Sequence, residues 1–186
     1  MSKHIDYEIN KELGECYLFM GEFDKAADYY NKAAACDAGH AAPYLGLATI
    51  AMQKKDSAGA AELYRKALEL EESDKPLTGL GLANAELGNN EEAFEYFVKA
   101  LKKNPTNLIA MNGMVQLAYV LNRVADTLPR LEAALQIQEN ETVRFTLAGC
   151  LSYQGRDEEA REQLEILLAD NPANASAQEL YARIAA

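Results

Sequence analysis

The residues with a capacity for chemistry are few in this chain of 186. Its two histidines, His4 and His40, have no carboxylate or cysteine at ligand spacing and read as ordinary surface groups. Its three cysteines, Cys16, Cys36 and Cys150, stand far apart, whereas a zinc or redox site calls for a pair separated by two residues. Cys36 has no activating neighbour. Cys16 and Cys150 fall in one column of a repeating pattern whose other members are Ile50, Ala83 and Leu117, so both are expected as small core residues. The acidic pairs Glu71-Glu72, Glu91-Glu92 and Glu158-Glu159 resemble acid/base couples, but two of them lead into expected helices, where negative charge suits the dipole. There is no phosphate-cradling glycine loop, no serine elbow and no His-Glu-x-x-His run. The expectation is a non-enzymatic protein with no catalytic residue, no metal ligand and no cofactor.

The elements that could position anything else are set by the bulk pattern. Hydrophobic residues make up 49% and charged residues 25%, a globular composition. The formal net charge of −11 repels phosphate backbones and anionic lipid, which argues against a nucleic-acid partner. No run of eighteen apolar residues is available to enter a bilayer, and the start turns polar at once without an apolar signal core. A cytoplasmic address is the default expectation.

Laid on itself, the chain repeats. Gly21-Glu-Phe-Asp-Lys-Ala26 through Tyr30 and Ala33 returns as Ala60, Tyr64 and Ala67, then as Gly88, Ala93, Phe97 and Ala100. A fainter fourth copy follows at Thr127, Leu131 and Ala134, and the fifth is clear again at Gly155, Ala160 and Leu164. The anchoring small residue falls at 26, 60, 93, 127 and 160, a period of 33 or 34. Upstream columns keep step: Leu13-Gly14, Leu47-Ala48, Leu80-Gly81, Met114-Val115 and Leu147-Ala148. Each copy holds two helical stripes, such as Leu77, Leu80, Ala83 and Leu87 followed by Ala93, Phe97, Ala100 and Leu101. The break between stripes reads Gly21, Lys55, Gly88, Asn122 and Gly155. Four of these five accept a left-handed backbone readily, so Lys55 is expected to make a different turn. Pro43 and Pro76 suit the first turn of a helix, and Pro105 and Pro172 close one. Pro129 requires the second helix of the fourth copy to begin late.

Leu-Gly, an aromatic, then Ala, an aromatic, Ala and a closing Pro resembles the tetratricopeptide repeat, here as Leu13, Gly14, Tyr17, Ala26, Tyr30 and Ala33, and as Leu80, Gly81, Ala93, Phe97, Ala100 and Pro105. The resemblance implies an all-α, right-handed superhelical solenoid of helix-turn-helix repeats in a single domain, 1–186. The repeats would be 7–40, 41–73, 74–107, 108–140 and 141–174. A capping helix over 175–186 would carry Tyr181, Ala182 and Ile184 against the last pair.

The resemblance also implies a concave groove on the first helices that holds a protein or peptide partner. In register it presents Lys11, Glu15 and Phe19, then Leu45, Thr49 and Met52, then Lys75, Thr78 and Leu82. Asn112, Gln116 and Tyr119 follow, then Phe145, Ser152 and Tyr153, with Leu82, Tyr119 and Phe145 expected as anchors. Family members that bind chaperone tails share a clamp of Lys and Asn, Asn, then Lys and Arg. This chain offers Lys11 and Glu15, Gly46, then Lys75 and Gly79, and the clamp fails. Gly46, Gly79 and Gly113, in phase on three first helices, leave room either for a ligand backbone or for close packing, and packing is the preferred reading. The expected function is a protein-interaction scaffold. The alternative is a homo-oligomer formed through the groove or the exposed terminal helices.

Overall fold

The computed structural model describes residues 3–185, and among these every regular element is helical. They pack as two compact units, one ending at Lys103 and the other beginning at Asn104. The boundary falls at the end of the third repeat's second helix.

The first unit contains three helix pairs: α1 (Lys3–Phe19) with α2 (Phe23–Cys36), α3 (Ala41–Gln53) with α4 (Ser57–Leu70), and α5 (Asp74–Glu86) with α6 (Asn90–Lys103). Between pairs, α2 packs on α3 and α4 on α5, and α3 touches both α1 and α5. Small residues make these approaches possible. Ala26, Ala33, Ala48, Ala60, Ala67, Ala83, Ala93 and Ala100 are all fully buried, and the rings of Tyr30, Tyr64 and Phe97 fill the space between them. A methyl group on Gly46 would lie 2.3 Å from the Tyr30 ring, and one on Gly79 would lie 2.3 Å from the Tyr64 ring. Both glycines therefore serve packing, as the preferred reading held.

Within every pair the turn is the same. Gly21, Lys55, Gly88, Asn122 and Gly155 all have positive φ, Lys55 at 64°. In each turn the amide of the following residue donates to a carbonyl five residues back, as Glu22 to Tyr17 and Asp56 to Ala51. This is the Schellman arrangement, which satisfies carbonyls left open at a helix end. The expected exception at Lys55 is corrected: tertiary packing of α3 on α4 fixes the turn, and lysine adopts the left-handed conformation at a cost of roughly 1 kcal/mol.

The second unit begins with α7 (Leu108–Val120), continues through a 3₁₀ turn (Val124–Thr127) into α8 (Leu128–Ile137), and then pairs α9 (Glu141–Tyr153) with α10 (Asp157–Asp170). Pro129 sits in the first turn of α8, so the second helix does begin late. Asn107 and Asn140 cap α7 and α9 by accepting from the amides of Ala110 and Val143, and each such cap is worth about 1 kcal/mol. The last helix, α11 (Ala175–Ile184), packs on α9 and α10, with Ala177 and Leu180 buried against Ala148, Leu164 and Leu167. Tyr181 and Ile184 flank that cluster, but Ala182 is exposed. The cap is therefore seated by Ala177 and Leu180 together with two of the three residues expected, Tyr181 and Ile184.

Cys150 is buried as expected, but Cys16 is exposed. In α3 and α5 the same column lies against the preceding second helix: Ile50 packs with Ala26 and Tyr30, and Ala83 with Ala60 and Tyr64. Among the described residues α1 has no preceding helix, so its column faces solvent.

Candidate functional site

In the first unit the expected groove residues meet different fates. Lys11 is spoken for by its neighbours, with its Nζ 2.7 Å from Glu8 and 3.2 Å from Glu12. The hydrogen bond to Glu8 raises the lysine pKa and lowers that of Glu8, so this ammonium is already partnered. Thr78 does not open to a groove. It is buried, and its hydroxyl donates 2.8 Å to the Asp74 carbonyl one turn back. Leu45 and Met52 pack against the Ala48 and Tyr64 cluster, and Thr49 donates to the Leu45 carbonyl. Glu15, Lys75 and Leu82 remain exposed, and Phe19 stands 95% exposed at the end of α1.

The second unit gathers its residues into a hollow of about 560 Å³. Tyr119 of α7 and Phe145, Ser152 and Tyr153 of α9 form one side. The rings of Tyr119 and Tyr153 meet edge to face, with centroids 4.9 Å apart and planes at 85°, a geometry that places a positive ring edge on a negative face. Burial pushes the Tyr119 hydroxyl up to about 12, helped by the neighbouring Cys150, so it enters any contact as a neutral hydrogen-bonding group. Asn112 and Gln116 of α7 lie exposed outside these walls.

The opposite side comes from α11, through Ser176, Glu179, Leu180 and Arg183, and Gly149 completes the lining. None of these five was singled out by sequence reasoning, which took the last helix for a lid. The signal was present. Adding 34 to Phe145 and Gly149 reaches Glu179 and Arg183, so α11 presents groove columns as any other first helix does.

Chemically, the hollow is a mixed polar and aromatic surface. It combines aromatic and aliphatic area with four hydroxyls, one carboxylate and one guanidinium, and its volume falls in the range of roughly 300–1,000 Å³ common to ligand pockets. Cys150 lies beneath it, accepting from the Thr127 hydroxyl at 3.8 Å, and burial raises its pKa. An activated thiol needs the opposite shift. Among the described residues no group of three His, Cys, Asp or Glu could hold a metal ion, and no helix is long and apolar enough to cross a membrane.

Comparison with known proteins agrees with the repeat pattern. Models described as tetratricopeptide repeat match residues 11–75, 75–107 and 121–184. The chain is 37% identical over 115 residues to the BBSome complex member BBS4 of Bos taurus, covering 60% of this chain and 22% of that protein. It is 31% identical over 110 residues to the CTR9 homolog of Arabidopsis thaliana, covering 56% of this chain and 10% of that protein. The chain thus spans a minor part of the curated relatives it matches. Among solved structures, Pseudomonas aeruginosa pilF shares the fold over 100% of this chain and 85% of its own, with a TM-score of 0.75 and 21% identity. The first repeat domain of Spaghetti (RPAP3), solved bound to an HSP90 peptide, aligns with a TM-score of 0.60 and 26% identity over 63% of this chain and 94% of its own. With such models matching most of its length and an all-helical fold of paired repeats, the chain belongs to the tetratricopeptide repeat family.

Proposed function

We propose that this chain is a non-enzymatic interaction module that holds a peptide or protein partner against its first helices, with the hollow of the second unit as the principal contact. The observation that carries this reading is the meeting of Tyr119, Phe145 and Tyr153 with Arg183 and Glu179 around one open cavity. Binding energy concentrates in a few aromatic and arginine contacts, and three rings with one guanidinium are such a set. The relatives support the class of function: BBS4 is a member of a complex, and the RPAP3 domain holds a peptide. The RPAP3 peptide itself is not the expected ligand, because Glu15 and the partnered Lys11 stand where a carboxylate clamp is needed.

The test compares partner capture by the wild type with that by a Tyr119→Ala, Phe145→Ala and Tyr153→Ala variant whose helicity is confirmed by circular dichroism. A control variant carries Lys102→Ala and Glu132→Ala on exposed second-helix positions. Loss of partners in the control alone would move the site to the outer face. Self-association is the second reading, favoured by Phe19 and Met20, which are 95% and 67% exposed at the end of α1. Light scattering separates the two, since a specific oligomer without partner would replace the first reading.

A further inference from the structure

Among the first-helix glycines Gly14, Gly46, Gly79, Gly81 and Gly149, two kinds of surroundings occur. Gly14, Gly46, Gly79 and Gly81 are required by an inserted ring: a methyl group on any of them would lie between 2.3 and 2.8 Å from Tyr30, Tyr64 or Phe97. Gly149 is different. It sits in the interior of α9, yet a methyl group there would meet no side chain or neighbouring element within 4 Å. Glycine within a helix is destabilising relative to alanine, and nothing inside the fold offsets that. In register the same column reads Glu15, Thr49, Leu82, Gln116, Gly149 and Arg183, so a side chain is missing only where the aromatic hollow lies.

We propose that the gap over Gly149 is a specificity pocket, receiving an aromatic side chain of a bound peptide while Arg183 pairs with a carboxylate next to it. The proposal rests on the reading of this hollow as the partner site and names what that site selects. The walls favour a ring. Tyr119 and Tyr153 already meet edge to face at 4.9 Å, and a third ring extends such an array through the same attraction of edge to face. The charge favours an acid. Arg123, Arg144, Arg156 and Arg161 in this unit each hold a carboxylate of the chain itself. Arg183 lines the hollow and makes no ion pair among the described residues. A guanidinium so placed offers two parallel N–H donors to an incoming carboxylate. Glu179, one turn before it, repels the acid from the other end of the pocket and so fixes the order of the two side chains.

The experiment selects random seven-residue peptides displayed on phage against the whole chain. The most enriched sequence, made as a fluorescein-labelled peptide, is then titrated by fluorescence anisotropy into wild type, Gly149→Leu, Arg183→Glu and Tyr153→Ala. The expected selection is an aromatic residue within two positions of Asp or Glu. Gly149→Leu and Arg183→Glu should each weaken binding by about tenfold or more. The thermal midpoint of Gly149→Leu should equal or exceed that of wild type, since the leucine enters open space. A lower midpoint would show that the fold itself needs the gap and would overturn the proposal. Unchanged affinity in Gly149→Leu with loss in Tyr153→Ala overturns the pocket and leaves the partner site standing. Equal binding by all variants, or no enrichment over bare beads, overturns both.

Discussion

The two units treat the faces of their first helices in contrasting ways. In the first unit, aromatic residues from the second helices are driven into glycine gaps on the first helices, and Tyr30, Tyr64 and Phe97 are almost wholly withdrawn from solvent. In the second unit the aromatic residues sit on the first helices themselves, and Tyr119 and Tyr153 remain 40% and 54% exposed around an open hollow. The same period and the same pair geometry thus yield a packed core in one place and an open aromatic hollow in the other. The helix that carries the ring does not decide this by itself, since Tyr7 of α1 and Tyr44 of α3 are also buried; what differs is whether a neighbouring helix covers the ring.

That contrast can be broken at its strongest point first. Phe97→Ala removes a fully buried ring and should destabilise by about 3–5 kcal/mol, while Tyr153→Ala on the open face should be far milder. Chemical denaturation of the two variants measures this, and equal losses would erase the distinction between core and surface rings. Next in size is removal of residues 175–186, which uncovers Leu164 and Leu167 and forfeits the burial of Leu180, worth about 1.5–3 kcal/mol by itself. Hydrogen exchange should show weaker protection in α9 and α10 and little change in α1 to α4, because stability in repeat arrays is a sum over neighbours.

A smaller and sharper comparison uses one substitution at two glycines. Gly79→Ala forces the Tyr64 ring to move and should destabilise by about 1–3 kcal/mol. Gly149→Ala fills open space in a helix and should stabilise by about 0.5–1 kcal/mol. Melting temperatures that move the same way for both would remove the basis for treating Gly149 as a pocket floor. The smallest effect is expected at Lys55→Gly, which relieves a left-handed lysine and should stabilise by roughly 0.5–1 kcal/mol. A loss of stability there would mean that lysine's stem supports the turn by packing.

The amino-acid sequence alone determined the period, the two helices per repeat and the late start forced by Pro129. These follow from local rules: small and large residues at helical spacing, and prolines without an amide proton. Tertiary structure decided what those rules leave open. Lys55 took the left-handed turn because the helices on either side leave no other path. Cys16 stayed exposed and Cys150 did not, since the same column lies against a preceding helix in one repeat and against solvent in the other. Thr78 is buried and donates to a carbonyl of its own helix instead of opening to the groove. The missing side chain of Gly149 became part of a cavity, and those of Gly46 and Gly79 did not, because rings from second helices fill the column of Gly46 and Gly79, whereas Gly149 stands in another column with nothing within 4 Å of it. A sequence records where a side chain is absent; the packing of the next helix determines whether that absence is filled.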